Sequence, residues 1–377
     1  MDLDYTDAEQ RFRAEMRTWL RANVPPSTLP SLETEAGFDE HREWERVLDG
    51  ARLAAVSWPE EYGGRGVSPL EWLIFEEEYY AAGGPARLNQ SGINLLAPTL
   101  FAHGTDEQLR RILPSMASGE VIWAQAWSEP NAGSDLAAIR STATRTDGGW
   151  LLSGQKVWSS RAPFADRAFG IFRSSGQRHQ GLTYLMFPLD APGLTVRPIG
   201  RLDGKPAFAE LFFDDVFVPD HDVIGAPDDG WRVAMSTAGD ERGLTLRSPG
   251  RFVAAASRLI DLWRERADPA DTALRDRVTD TWIRARAYQL HGFATLSREE
   301  PVGFEASMNK IFWSELDVAL NETALDILGP EGELDGEWLE DYVFSLAGTV
   351  YAGTNEIQRN VVAERVLGLP RERKGSR

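Results

Sequence analysis

The sequence contains no cysteine, which excludes disulfides, thiolate metal sites and a cysteine nucleophile. Histidine is scarce, and the five present, His41, His103, His179, His221 and His291, never fall at metal-ligand spacing, so no metal is expected. No apolar run is long enough to cross a bilayer. The first residues, Met1-Asp2-Leu3-Asp4-Tyr5, show no basic region followed by an apolar one. A cytoplasmic location without membrane contact is the resulting expectation. Basic residues are outnumbered, 40 Lys and Arg against 58 Asp and Glu, and the net charge of −18 argues against nucleic-acid binding, which needs a basic footprint. An anionic ligand must then meet local donors.

What remains is ordinary globular material. With 42% apolar and 26% charged residues, 377 residues suffice for two or three domains with substantial cores. Thr6-Asp7-Ala8-Glu9 has the spacing of a capping box, followed by Phe12, Met16, Trp19 and Leu20 at helical spacing until Pro25-Pro26. Residues 27–37 read as a polar connector and Asp39 to about Ala51 as a second helix. Ser68-Pro69-Leu70-Glu71 opens a third, residues 93–102 form a fourth, and Thr105-Asp106-Glu107-Gln108 caps a fifth.

From Val121 the texture changes to alternating β-branched and aromatic residues with frequent turn signals. Asp147-Gly148-Gly149 marks a hairpin, and strands fit residues 140–145, 150–153, 168–173, 182–188, 194–198 and 209–218. Helical spacing returns beyond Gly230, at about 230–247, 251–267, 271–297, 303–328 and 354–366, with Ser248-Pro249 as a break and Gly329 as a C-terminal cap. The fold class is therefore α+β. A helical domain covers 1–119, a β domain of barrel or sandwich type 120–228, and a helical bundle 229–377. This order does not match the alternating βαβ of a Rossmann sheet, and Gly64 and Gly66 lack the third glycine of a GxGxxG.

One stretch stands out against the apolar runs around it: Trp127-Ser128-Glu129-Pro130-Asn131-Ala132-Gly133-Ser134-Asp135, with Gly154-Gln155-Lys156-Val157-Trp158-Ser159-Ser160 one hairpin later. It is polar and turn-forming, which suits a ligand loop on a rigid sheet. Its glycine permits close approach, and Ser128, Ser134 and backbone amides could serve a pyrophosphate or the polar edge of a flavin.

These residues resemble the acyl-CoA dehydrogenase family. So do His103-Gly104-Thr105-Asp106-Glu107-Gln108, Ser118-Gly119-Glu120, Phe212-Phe213-Asp214-Asp215-Val216 and Gly353-Thr354-Asn355-Glu356-Ile357-Gln358-Arg359. The resemblance spans nearly the whole chain and implies FAD as cofactor. Carried over by position, it implies that the Trp127 backbone and Ser128 contact the flavin ring and that Gly133 and Ser134 line the pyrophosphate. Trp158 would cover one flavin face, Ser160 would approach N5, and Thr354 and Glu356 would close over the cofactor. Ser134, Ala352 and Gly353 would contact substrate. The implied reaction is α,β-dehydrogenation of an acyl thioester, on CoA or an acyl carrier protein, giving the trans-2-enoyl thioester. Electrons would pass to an electron-transferring flavoprotein. The implied assembly is a homo-oligomer, dimer or tetramer, with a heteromer as the alternative.

Two departures from the family pattern matter. Many members carry the catalytic Glu immediately before the Gly-Thr of the C-terminal segment, where this chain has Ala352, and alanine cannot accept a proton. Some branches place the base on the first helix after the β domain, ahead of an arginine. Here that is Glu241, with Arg242 steadying the site and Asp240 in reserve. Second, the Arg…Phe-Gly and Gln…Gly-Gly patterns that reach a neighbouring subunit's FAD are replaced by residues 263–270 and 326–332. A partner subunit completing another chain's site, or an oxidase or monooxygenase on the same fold, are the rival readings.

Overall fold

The computed structural model describes residues 4–242, 248–297 and 305–370, with the side chains of residues 240–242 and 305 left outside that description. Five helices come first: α1 (Asp7–Asn23), α2 (Glu35–Gly50), α3 (Pro69–Ala81), α4 (Ala97–His103) and α5 (Asp106–Ala117). The strands follow as β1 (Trp123–Ala126), β2 (Thr142–Thr146), β3 (Gly149–Ser160), β4 (Arg167–Arg173), β5 (Leu182–Pro188), β6 (Leu194–Ile199), β7 (Phe208–Pro219) and β8 (Val223–Ile224). The last helices are α6 (Gly230–Arg242), α7 (Pro249–Arg266), α8 (Thr272–Leu296), α9 (Glu305–Leu328), α10 (Glu337–Gly348) and α11 (Asn355–Val361). No described helix is long and apolar enough to cross a membrane.

Local chemistry explains most of the boundaries. Both capping boxes form: Thr6 and Glu9 exchange side-chain and backbone bonds at the start of α1, and Thr105 and Gln108 do so at α5. Gly329 takes a left-handed φ of +58° after α9. Helix α2 begins four residues before the expected Asp39, because the Thr34 hydroxyl accepts the Gly37 amide and nucleates the helix inside the presumed connector. Three elements were not expected: β1, β8 and α10. Helix α10 starts from Gly336 with no side-chain cap, so its sequence carries no start signal.

The chain groups into two compact units. One contains α1, α3 and α7 through α11. Its core is built by Phe252, Ala256 and Leu259 of α7, Val278, Ala285 and Tyr288 of α8, and Trp313, Leu316, Leu320 and Ala324 of α9. Arg13 and Arg17 of α1 pair with Glu77 and Glu78 of α3.

The other unit contains α2, α4, α5, the sheet and most of α6. Its strands run in the order β6-β7-β3-β2-β4-β5-β8, with β1 parallel to β4. Strand β2 joins the two halves of the sheet through a single aligned pair with β4, Thr142 opposite Arg173. Strand β4 is buried on both faces, with Ala168 and Phe172 facing the other sheet half and Phe169 and Ile171 facing the helices. Such double burial explains why β4 reads as a continuous apolar run rather than an alternation.

Candidate functional site

The polar stretch begins where β1 ends. Trp127 is buried, Ser128 is half-buried, and the chain then makes a tight turn in which Glu129 and Ala132 exchange backbone hydrogen bonds of 3.1 and 3.0 Å. Beyond the turn, Gly133 and Ser134 lie exposed, and Asp135 pairs with Arg178 at 2.8 Å. The second half of the stretch was expected about one hairpin later and is strand: β3 continues unbroken through Ser160. The two halves meet directly, because the Val157 amide donates to the Ser128 carbonyl at 2.8 Å.

A β-bulge shapes this meeting point. Lys156 aligns with Leu211 and Ser159 with Ala209, so β3 carries one residue more than β7 between them. Trp158 absorbs the excess in a left-handed conformation, φ +61°. That conformation costs a non-glycine residue roughly 1–2 kcal/mol. It turns the indole outward, where it is 59% exposed against the edge of the Phe208 ring. Ser160 is exposed on the same strand.

Beneath the bulge lies a charge pair. Lys156 is fully buried, and its ammonium donates to Glu129 Oε1 at 2.9 Å, to the Ile171 carbonyl at 2.8 Å and to the Trp127 carbonyl at 3.2 Å. Glu129 also accepts the amides of Arg140 and Ser141 at 2.7 and 2.9 Å. Burial pushes the Lys156 ammonium down to about 8 even though Glu129 opposes the shift. Burial also works against the Glu129 carboxylate, but the Lys156 charge and the backbone donors outweigh it and hold Glu129 below the ordinary carboxylate range. Neither residue was assigned a role from sequence. The available signal was strand parity, since Trp150, Leu152 and Lys156 share one face of β3 and all three are buried.

The C-terminal motif occupies the helical unit. Ala352 and Gly353 both take left-handed φ values, +56° and +77°. Gln358 Nε2 donates to both of their carbonyls, at 2.9 and 3.4 Å. Among the described residues no acceptor takes the amide of Ala352 or Gly353, so both remain available as donors. Thr354 caps α11, accepting the Ile357 amide at 3.2 Å. Glu356 is held below the usual carboxylate range by its own backbone amide and then by the Thr354 hydroxyl. Asn355 anchors the turn from below, its Oδ1 accepting Lys310 Nζ at 2.9 Å and Ser314 Oγ at 3.1 Å. Glu241 and Arg242 fall in the last turn of α6. Their side chains lie outside the described residues.

These features fit an aromatic, polar-edged cofactor such as FAD. An exposed indole is held out by a strained bulge, and buried Trp127 Nε1 has no hydrogen-bond partner among the described residues. A Cβ added at Gly133 would meet nothing within 4 Å, so packing within the chain does not require glycine there. No group of residues able to hold a metal is found among those described.

Known proteins resemble this chain over most of its length. Three family models match in succession: the acyl-CoA dehydrogenase N-terminal domain over residues 6–120, the middle domain over 124–216 and the C-terminal domain over 228–367. The chain is 42% identical over 385 residues to the acyl-CoA dehydrogenase IpdE1 of Mycobacterium tuberculosis, covering 97% of this chain and 99% of that protein. It also resembles two solved structures. The Tcur3481-Tcur3483 steroid ACAD matches with a TM-score of 0.86 and 27% identity, covering 99% of this chain and 100% of that one. The ChsE4-ChsE5 complex of Mycobacterium tuberculosis matches with a TM-score of 0.86 and 28% identity over the same shares.

Proposed function

The chain belongs to the acyl-CoA dehydrogenase family of FAD-binding enzymes, and from that premise we propose that it oxidises an acyl-CoA to the trans-2-enoyl thioester with Glu241 as the base. The observation that carries this reading is the turn at Ala352. It keeps two backbone donors available, yet it has no carboxylate at the position where many family members hold the base.

The flavin, when bound, supplies hydride acceptance at N5. Trp127, Ser128 and Trp158 would hold its ring, Gly133 and Ser134 its pyrophosphate, and Ser160, Thr354 and Glu356 would complete its surroundings. The protein's own tasks are orientation, proton removal and charge stabilisation. Glu241 takes the substrate's α-proton, with the Arg242 charge steadying the site. The amide of Ala352 donates to the thioester oxygen as negative charge gathers there, while Gly353 and Ser134 position the substrate. An electron-transferring flavoprotein would be the partner that takes up the two electrons removed from the substrate.

Anaerobic mixing of the flavin-loaded protein with straight, branched, aromatic and polycyclic acyl-CoAs tests this reading. Bleaching of the flavin absorbance by one class is the expected result, and no bleaching by any class would overturn it.

A heteromeric assembly is the second reading. Residues 263–270 and 326–332 lack the family patterns that reach across a subunit interface, and the two similar solved structures are the Tcur3481-Tcur3483 steroid ACAD and the ChsE4-ChsE5 complex. On this reading a bulky polycyclic acyl group is the favoured substrate class. Co-purification of an unlike subunit, with no flavin retained by this chain alone, would favour it.

A further inference from the structure

We propose that the buried Lys156–Glu129 pair is a positioning device for the ligand cradle, locking the 127–134 loop and the Trp158 bulge into one register. The proposal rests on the flavin reading above.

Each partner is held by three hydrogen bonds. The three ammonium protons of Lys156 have three acceptors, Glu129 Oε1 and the carbonyls of Ile171 and Trp127. No donor is left for a ligand, so Lys156 acts through the groups it holds. Glu129 takes up Lys156 through Oε1, and the amides of Ser141 and Arg140 go to Oε1 and Oε2. Because Glu129 lies near the start of the connection from β1 to β2, which contains the 127–134 loop, and Arg140 and Ser141 lie at its end, one carboxylate closes that connection at its base. The Lys156 bond to the Trp127 carbonyl fixes the loop's approach to the sheet.

The same lysine reaches the bulge. Lys156 is the last residue of β3 in regular register with β7 before the extra residue, and Trp158 follows two positions later. The backbone bond from Val157 to Ser128 lies between them. The pair therefore ties together the two segments whose exposed residues would meet the cofactor. Packing alone does not call for it, since apolar side chains of similar volume would fill the same space without the desolvation cost of two buried charges. What the charges add is five directed hydrogen bonds converging on one point.

The test uses the full-length chain and FAD alone. Lys156→Met by itself leaves a buried carboxylate uncompensated and is expected to lower the melting temperature of the flavin-free protein. The double variant Glu129→Gln/Lys156→Met removes both charges. It should recover a melting temperature within a few degrees of the unaltered chain, yet bind FAD at least about tenfold more weakly, the loss expected for roughly one well-placed hydrogen bond. Quenching of flavin fluorescence in the bound state should weaken as well. A stable double variant with unaltered FAD affinity and quenching would show that the pair serves stability alone, overturning the proposal. Failure of the unaltered chain to bind FAD, both alone and together with any subunit that co-purifies with it, would instead remove the cradle reading itself, and the proposal with it.

Discussion

Lys156 Nζ and Glu129 Oε1 lie 2.9 Å apart inside the sheet unit, the lysine with no solvent exposure and the glutamate 8% exposed. Isolated buried charges cost several kcal/mol each, so this pair persists because all three ammonium protons find acceptors and the carboxylate takes three donors. It also gives the protein a pH signature.

Burial lowers the folded-state value of Lys156 to about 8, against an ordinary 10.5. Between those values the unfolded chain binds more protons than the folded one, so the contribution of this group to stability rises with pH from about 8 to about 10.5. Arg173 and Glu129 are the charged groups acting on it. Urea unfolding at pH 7.5 and pH 9.5 should show the unaltered chain gaining relative to Lys156→Met. Equal pH responses of the two proteins would contradict the assignment.

Glu241→Gln keeps size and polarity but removes the proton acceptor. Turnover should fall by about 10²–10⁴-fold while FAD affinity stays unchanged, since general-base catalysis contributes on that scale. Full activity in a flavin-loaded variant would move the base elsewhere, with Asp240 the next residue to examine.

Trp158→Ala should separate binding from folding. The indole is 59% exposed, so its removal should change stability by less than about 1 kcal/mol. Weaker FAD binding and a shifted flavin absorbance band are expected from losing a stacked aromatic face. An unaltered flavin spectrum would show that Trp158 does not face the ring.

Arg87→Met tests another buried carboxylate of the same unit. Glu45 is 1% exposed and receives Arg87 Nε and Nη2 at 2.8–3.1 Å, together with the Leu88 amide at 2.7 Å. Removing the guanidinium leaves that charge largely uncompensated, a loss of roughly 3–5 kcal/mol. Denaturant unfolding should register it, and a second change, Glu45→Leu, should restore part of it.

The sequence alone determined whatever depends on neighbours a few positions away. The capping boxes at Thr6 and Thr105, the Gly148 hairpin, the Ser248-Pro249 break and the Gly329 cap are all local hydrogen-bond or φ requirements, and each lies where its residues place it. The family was also legible, because family resemblance resides in contiguous residues such as 127–135 and 353–359. Tertiary structure decided the rest. Helix α10, without a capping side chain, forms through packing, with Trp338 set against the helical core. The left-handed turn of Trp158 exists because β7 is one residue shorter than β3 across the bulge. The burial of Lys156 depends on a carboxylate 27 positions earlier in the chain. Such pairings lie beyond any local pattern, since closing the chain over that distance is what folding itself accomplishes.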